Sequence, residues 1–337
     1  MAYFPSINLA HVAYVSGVAG ITTFAANVLA KLIPLHVNGF SARPRSQVST
    51  AFIKDPSATI HLTKIVIHFC GTFEDALPER STGTIRKHLN NPSIQVIEVT
   101  QSRALAALEE DQQPKTILGL SAPNYVVGGY DHAVKQLQKI LQVTDEQLTE
   151  TLKKSHLIFT GFSQGGGAAL QVAHRFLDTF NLEGKNISAV SINGSVHGSM
   201  LTHTSPSLML DFLANFCTCF SDFKKGSQFF QQNAAAINRL AQQECSVELL
   251  HHHLDLLLLP ADAGGKKLNI SSTEIALALF GFLTAAYLTK GDASWIPFTA
   301  CLASSFFALT LSNHIFSPMA PGVGKALRNI IQPTIAE

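Results

Sequence analysis

Ser163 is the residue of this chain best placed to do chemistry. It stands in Gly161-Phe162-Ser163-Gln164-Gly165, between an apolar run, "HLIFT", and a helical pattern, "GGAALQVAHRFLDTF". A serine on a strand-to-helix turn, with glycines two places before and after it, suits nucleophilic attack on a carbonyl. A Cβ at Gly161 or Gly165 would strike neighbouring backbone in so tight a turn, and the strain at the serine lifts its Oγ above the sheet. The helix that follows offers free N–H groups and the positive end of its dipole, with the N–H of Gln164 as one donor to an oxyanion. The plainer alternative makes Ser163 a capping residue at a helix start.

"GFSQGG" resembles the nucleophile elbow of the α/β-hydrolase superfamily, in particular that of carboxylesterases and acyl-protein thioesterases. A second similarity is to the phospholipase-like hydrolases of bacterial secreted effectors, which pair a strand ending in D-G-T with a later G-F-S-[RQ]-G. Here "IVIHFCGTFED" supplies Cys70-Gly71-Thr72, with cysteine where that pattern has aspartate. The resemblance covers the catalytic core and leaves out the first fifty or so residues.

The resemblance implies a Ser-His-Asp triad in the chain order serine, acid, histidine. The acid would follow a strand two after the nucleophile strand, and the histidine would follow the last strand. "LDLLLLPADAGG" puts Asp262 in the first position and "FFALTLSNHIFSP" puts His314 in the second. His197 and His203 could line the site but precede Asp262. Asp255 falls inside the apolar run, and His68 reads as a buried strand residue. The first oxyanion loop is "HFCGTFED", where Gly71 admits a close backbone N–H and Thr72 adds an N–H or hydroxyl; the same residues also suit a plain strand-ending turn.

Positioning these residues requires strands that alternate with helices. "KIVIHFC", "SIQVIEVT", "HLIFT", "ISAVSING" and "LDLLLLP" read as strands, "KTILGL" as a strand or loop edge and "FFALTLS" as a last strand. "STGTIRKHL", "YDHAVKQLQKIL", "TDEQLTETLKK", "STEIALALFGFLTAAYL" and "GKALRNIIQ" read as helices, the third opened by Thr144 and Asp145. The pattern predicts the α/β class: an α/β-hydrolase with a mostly parallel central sheet, helices on both faces and a helical cap insertion at about 204–250. In that insertion Leu208, Phe212, Phe216 and Phe220 recur every four residues, which suits an acyl chain or simple burial of the cap. Residues 1–50 form a separate apolar helix and linker, and 51–337 the catalytic domain.

Residues 12–30 carry no charge and are open to three readings: a packed helix, a membrane-associating segment, or a signal, for which "MAYFPSINLAH" lacks the basic start. Ile275–Thr289 and Ala293–Asn313 could form a membrane hairpin; core helix plus final strand is the preferred reading. Charged residues make up 14% of the chain against 46% hydrophobic, which argues against disorder, and the net charge of +1 gives no footprint for nucleic acid. Five scattered cysteines favour a reducing compartment such as the cytoplasm, with a membrane-associated enzyme or a secreted effector in a host cytosol also compatible. His251–His253 with Cys245, and Cys217 with Cys219, lack metal-ligand spacing, so no metal is expected; with no dinucleotide or phosphate-loop motif, no cofactor is expected either. The expected reaction is serine-dependent cleavage of a carboxylic ester in a lipid or acylated substrate, with a membrane surface as a partner. A catalytically silent binding module and a serine acyltransferase are the alternatives.

Overall fold

The computed structural model describes residues 8–32, 63–72, 74–76, 81–91, 93–109, 122–194, 223–252, 266–268, 272–290, 295–319 and 321–331. Six strands form one sheet: β1 (Thr63–Phe69), β2 (Gln95–Val99), β3 (Ser155–Phe162), β4 (Ile187–Ile192), β5 (Ser246–His252) and β6 (Lys266–Leu268). Their order is β2-β1-β3-β4-β5-β6, and the first five run parallel. The chain therefore leaves β1 toward one edge and returns for β3 on the other side. Such a reversal opens a crevice at the carboxyl ends of the two strands, where α/β proteins bind their ligands.

The strands are apolar on both faces because helices cover both. Helix α1 (Leu9–Leu32) precedes the sheet; α2 (Ser81–Leu89), α3 (Gln101–Leu105), α4 (Ala122–Leu141), α5 (Asp145–Lys153), α6 (Gln164–Thr179) and α7 (Phe223–Gln242) lie between its strands. Helices α8 (Ser272–Leu288), α9 (Trp295–Phe316) and α10 (Pro321–Ile331) follow it. Ile65, Ile67, Phe69, Leu157 and Phe159 point to one face, where they meet α4, α6 and the end of α7. Val66, Ile158, Val190 and Ile192 point to the other, against α2 and α10. Phe176 packs against Phe159 and Tyr130 in tilted ring contacts with centroids 5.2 and 5.0 Å apart. Each such buried ring contributes about 1.5–3 kcal/mol.

The chain divides into two compact units: the sheet with its helices, including α10, and a second made of α1, α8 and α9. In that second unit α1 lies along α9, and Val15, Ala19, Ala285 and Cys301 form its centre.

Two sequence expectations change here. "FFALTLS" is not a last strand: residues 306–312 continue α9 without a break. Its β-branched and aromatic residues suit a strand, but a run apolar on every side carries no period to choose between the two. Of the expected cap, 204–222 lie outside the described residues, while α7 is a crossover helix packed on α6, with Ala236 and Leu240 buried and Leu240 in the main core. The strand after it, β5, starts at Ser246, within the span assigned to the cap. "KTILGL", "LDLLLLP" and the linker "SARPRSQVST" lie outside the described residues.

Candidate active site

Ser163 sits at the carboxyl end of β3, beside that of β1, in the crevice made by the strand reversal. Its backbone has φ 54° and ψ −124°, a conformation that side-chain-bearing residues rarely adopt and that costs of order 1–3 kcal/mol. Backbone hydrogen bonds on both sides hold it there. Its N–H donates to the carbonyl of Ile192 (3.0 Å), its own carbonyl accepts from Gly166 N–H (2.9 Å), and α6 starts at the next residue.

The glycines make the turn possible. A Cβ on Gly161 would land on the carbonyl of Gly165, and one on Gly165 would lie 2.6 Å from the carbonyl oxygen of Cys70. One on Gly166 would lie 2.6 Å from the Cα of Gly194. The start of α6 thus runs against the backbone of β1 and of the β4 end. The serine is half-buried, while Gln164 through Ala173 are buried.

The loop after β1 is the other wall. A Cβ on Gly71 would meet the Phe162 ring at 2.8 Å and the Ser163 Cβ at 3.3 Å, so this loop passes directly beside the serine. Thr72 Oγ1 donates to Gln164 Oε1 (2.9 Å), and Gln101 Nε2 donates to the same oxygen (2.5 Å). Those bonds tie the β1 loop and α3 to the first residue of α6, whose N–H is the expected oxyanion donor. Tyr125, fully buried on α4, places its hydroxyl 2.9 Å from the carbonyl of Cys70 and 2.7 Å from that of Val99.

Sequence reasoning missed the residue that shapes this loop. Glu74 is buried, and its carboxylate accepts from Gly71 N–H, from Ser81 N–H (2.6 Å) and from Ser81 Oγ (2.8 Å). Burial raises its pKa above the usual carboxylate range, against the lowering effect of those bonds. Gly71 therefore gives its amide to Glu74. The next residue, Asp75, accepts from Ser102 N–H (2.9 Å) and Oγ (3.1 Å) at the start of α3. An acid three places after a strand-ending glycine was the available signal, but its partner Ser81 is brought in only by the turn.

His68, Cys70 and Glu74 present ligand atoms within 4.8 Å of one another, and all three are buried. Each already has partners. His68 Nδ1 meets Thr160 Oγ1 (2.8 Å) and its Nε2 meets Ser81 Oγ (2.5 Å), while Cys70 Sγ lies 3.4 Å from Thr82 Oγ1. Burial pulls the His68 pKa down to about 3 and pushes that of Cys70 far up, so both are neutral at ordinary pH. Through Ser81, His68 and Glu74 belong to one buried hydrogen-bond network beneath the loop.

The expected partners of Ser163 stand differently. Asp262, Asp255, His197 and His203 lie outside the described residues. The second strand after β3 is β5, which ends at His252, so Asp255 and Asp262 both follow it. His314 is half-buried on α9, in the helical unit, and not past a final strand as the sequence suggested. It keeps its place in the chain order, as the one histidine after β6.

No family model and no curated protein matches the chain. Among solved structures it is similar to an esterase from Pyrobaculum calidifontis at 14% identity and a TM-score of 0.29, over 94% of this chain and 95% of that one. It is also similar to a chain from the lipolytic enzymes LipS and LipT, of metagenome origin, at 13% identity and a TM-score of 0.31, over 68% and 94%. A third is a point mutant of the esterase rPPE, at 11% identity and a TM-score of 0.29, over 93% and 99%. Superpositions this loose carry no argument. The α/β-hydrolase arrangement rests on the chain's own parallel strand order, its two helical layers and the elbow at Ser163.

Proposed function

We propose that the protein is a serine hydrolase that cleaves carboxylic esters of lipid or acylated substrates. The observation that carries this reading is the backbone of Ser163, strained at φ 54° at a strand end and walled by Gly71 at one side and the start of α6 at the other. A mere helix cap gains nothing from such strain; a nucleophile gains exposure of its Oγ.

In this reading Ser163 Oγ attacks the ester carbonyl. The N–H groups of Gln164 and Thr72 stabilise the tetrahedral oxyanion, each contributing roughly 10²–10³ in turnover. His314 takes the serine proton and returns it to the leaving alcohol, with Asp262 orienting the imidazole. Water then attacks the acyl-enzyme through the same histidine and releases the acid. The Phe-rich segment between β4 and α7 supports an apolar acyl group.

The test is labelling by a fluorescent fluorophosphonate. Wild type is expected to label and Ser163→Ala is not; His314→Ala should label at least roughly 10²-fold more slowly, whereas His197→Ala and His203→Ala keep the wild-type rate. Wild type that stays unlabelled sinks the hydrolase reading, and unchanged labelling of His314→Ala removes that residue as base. Release of fatty acid from a panel of acyl esters would then define chain length.

A further inference from the structure

We infer that α1, α8 and α9 form a bilayer-embedded anchor whose chain connections to the sheet unit lie on the cytoplasmic side. The argument starts from where this unit keeps its polar groups. Asn27 is 1% exposed and Asn313 0%, whereas Ile21 is 73% exposed, Leu283 64% and Phe307 57%. Asn27 Nδ2 donates to Ser312 Oγ (2.5 Å) and to Asn313 Oδ1 (2.9 Å) between the helices. Thr23, Ser305 and Thr310 are also buried. A helix bundle in water arranges these classes the other way, apolar inside and polar outside. Lipid reverses the preference: apolar side chains face the acyl chains and polar ones pair between helices.

Length and charge agree. The helices have 24, 17 and 22 residues, about 36, 26 and 33 Å at 1.5 Å per residue, against a hydrocarbon core of about 30 Å. Their only residues of fixed charge are Lys31 near the end of α1 and Glu274 in the first turn of α8. Packing between them uses small residues, as bilayer helices do: Gly20 abuts Ser304, and a Cβ on Gly281 would lie 3.1 Å from that of Ser305.

The register orients the bundle. Gly20 against Ser304 and Asn27 against Ser312 make α1 parallel to α9. The pairs Phe282–Phe298, with centroids 5.6 Å apart, and Gly281–Ser305 make α8 antiparallel to α9. The C-terminal ends of α1 and α9 and the N-terminal end of α8 therefore share one end of the bundle, and all the segments leading to the sheet unit leave from it. Next to that end in sequence the basic residues are Lys31, Arg43, Arg45, Lys266, Lys267, Lys325 and Arg328; next to the other the one basic residue is Lys290, with Asp292 beside it. Positive charge stays on the cytoplasmic side. At the far end Tyr14, Tyr287 and Trp295 are exposed, an aromatic set of the kind that sits at headgroup level.

Trp295 is the single tryptophan of the chain, so wild type reports on itself. Membranes from cells that express the full chain are washed with carbonate at high pH and floated on a density gradient. The protein is then purified in detergent and reconstituted in phosphatidylcholine vesicles with and without brominated acyl chains. The expected results are flotation with lipid after the wash and at least a twofold loss of Trp295 fluorescence in brominated vesicles. Ser163→Ala should float as wild type does, since anchoring is independent of the hydrolase reading. Leu279→Lys with Leu283→Lys should cut the floating fraction several-fold, while Leu279→Phe with Leu283→Phe keeps it. Release by carbonate, sedimentation without lipid, unquenched Trp295, or flotation of the double lysine variant at the wild-type level each overturns the anchor. So does a soluble, detergent-free oligomer, which would mean that copies of the chain cover this surface.

Discussion

Gly71 donates its backbone N–H to the buried carboxylate of Glu74. The glycine of the β1 loop that passes beside Ser163 is thus held from behind by a buried acid. That relationship fixes the path of the β1 loop and orients Thr72 toward α6, where its hydroxyl meets Gln164.

Glu74 is accordingly a positioning residue with a pH signature. Glu74→Ala strands three buried donors and should cost about 2–4 kcal/mol, read by chemical denaturation, with slower fluorophosphonate labelling. Because burial raises its pKa above 4.5, the folded protein holds the proton more tightly than the unfolded chain does. Its contribution is complete below pH 4.5 and shrinks as pH rises through the folded value. Compared with Glu74→Gln, wild type should therefore lose stability as pH rises from 4.5 toward neutrality. A constant gap between the two across that range would count against this account.

His68 carries the opposite sign. Its folded pKa of about 3 lies below the ordinary 6.5, so the folded state refuses a proton that the unfolded chain accepts. The stabilisation is complete above pH 6.5 and disappears as pH falls toward 3, with a slope of about 1.4 kcal/mol per pH unit. His156, lowered to about 4 by burial beside Ser188, adds to the same trend. Urea midpoints measured from neutral pH down to about 4 should fall less steeply for His68→Gln than for wild type.

At the elbow, space and strain give separable effects. Gly161→Ala and Gly165→Ala force backbone apart and should each cost about 2 kcal/mol or more and reduce labelling at least tenfold. Gly83→Ala is the control: nothing lies within 4 Å of its added Cβ on α2, and helix propensity should stabilise it by up to about 1 kcal/mol. Melting temperatures decide, and equal effects at Gly83 and Gly161 would refute the steric account.

Ser163→Gly tests the stored strain itself. Glycine adopts φ 54° without penalty, so this variant should lose all labelling and yet be more stable than Ser163→Ala, by roughly 1 kcal/mol. The same melting temperature for both would mean that the serine backbone is relaxed.

How far these features were legible follows from the reach of their causes. The elbow was readable because its glycine spacing is a local signature between an apolar run and a helical pattern: Gly161 is crowded from within the same turn, although the backbone that crowds Gly165 belongs to β1. Helix α5 was readable from Thr144 and Asp145 at its start, again a local device, and the structure adds a capping box between Thr144 and Gln147. The alternation of strands and helices around them carried the sheet. Glu74 was not readable, because Ser81 reaches it only after an intervening turn. Residues 306–312 were misread for a different reason: Phe306 and Phe307 face outward while Ser312 and Asn313 face in, so hydrophobicity no longer marks the interior. The expected cap failed in its second half because α7 has the same amphipathic pattern as any layer helix, and the pattern does not say which surface it covers.

The pairing of Asn27 with Ser312 spans 285 residues of chain. A ribosome adding roughly 5–20 residues per second needs about a quarter of a minute to a minute to make that stretch. For all of that time the first helix has emerged without the amide's partner, and every strand of the sheet has already been translated. The nascent protein thus has a built-in delay: its first helix must be sheltered by cellular machinery until nearly the last one arrives, whereas the strand pairs β1–β2 and β3–β4 can close as soon as they leave the exit tunnel.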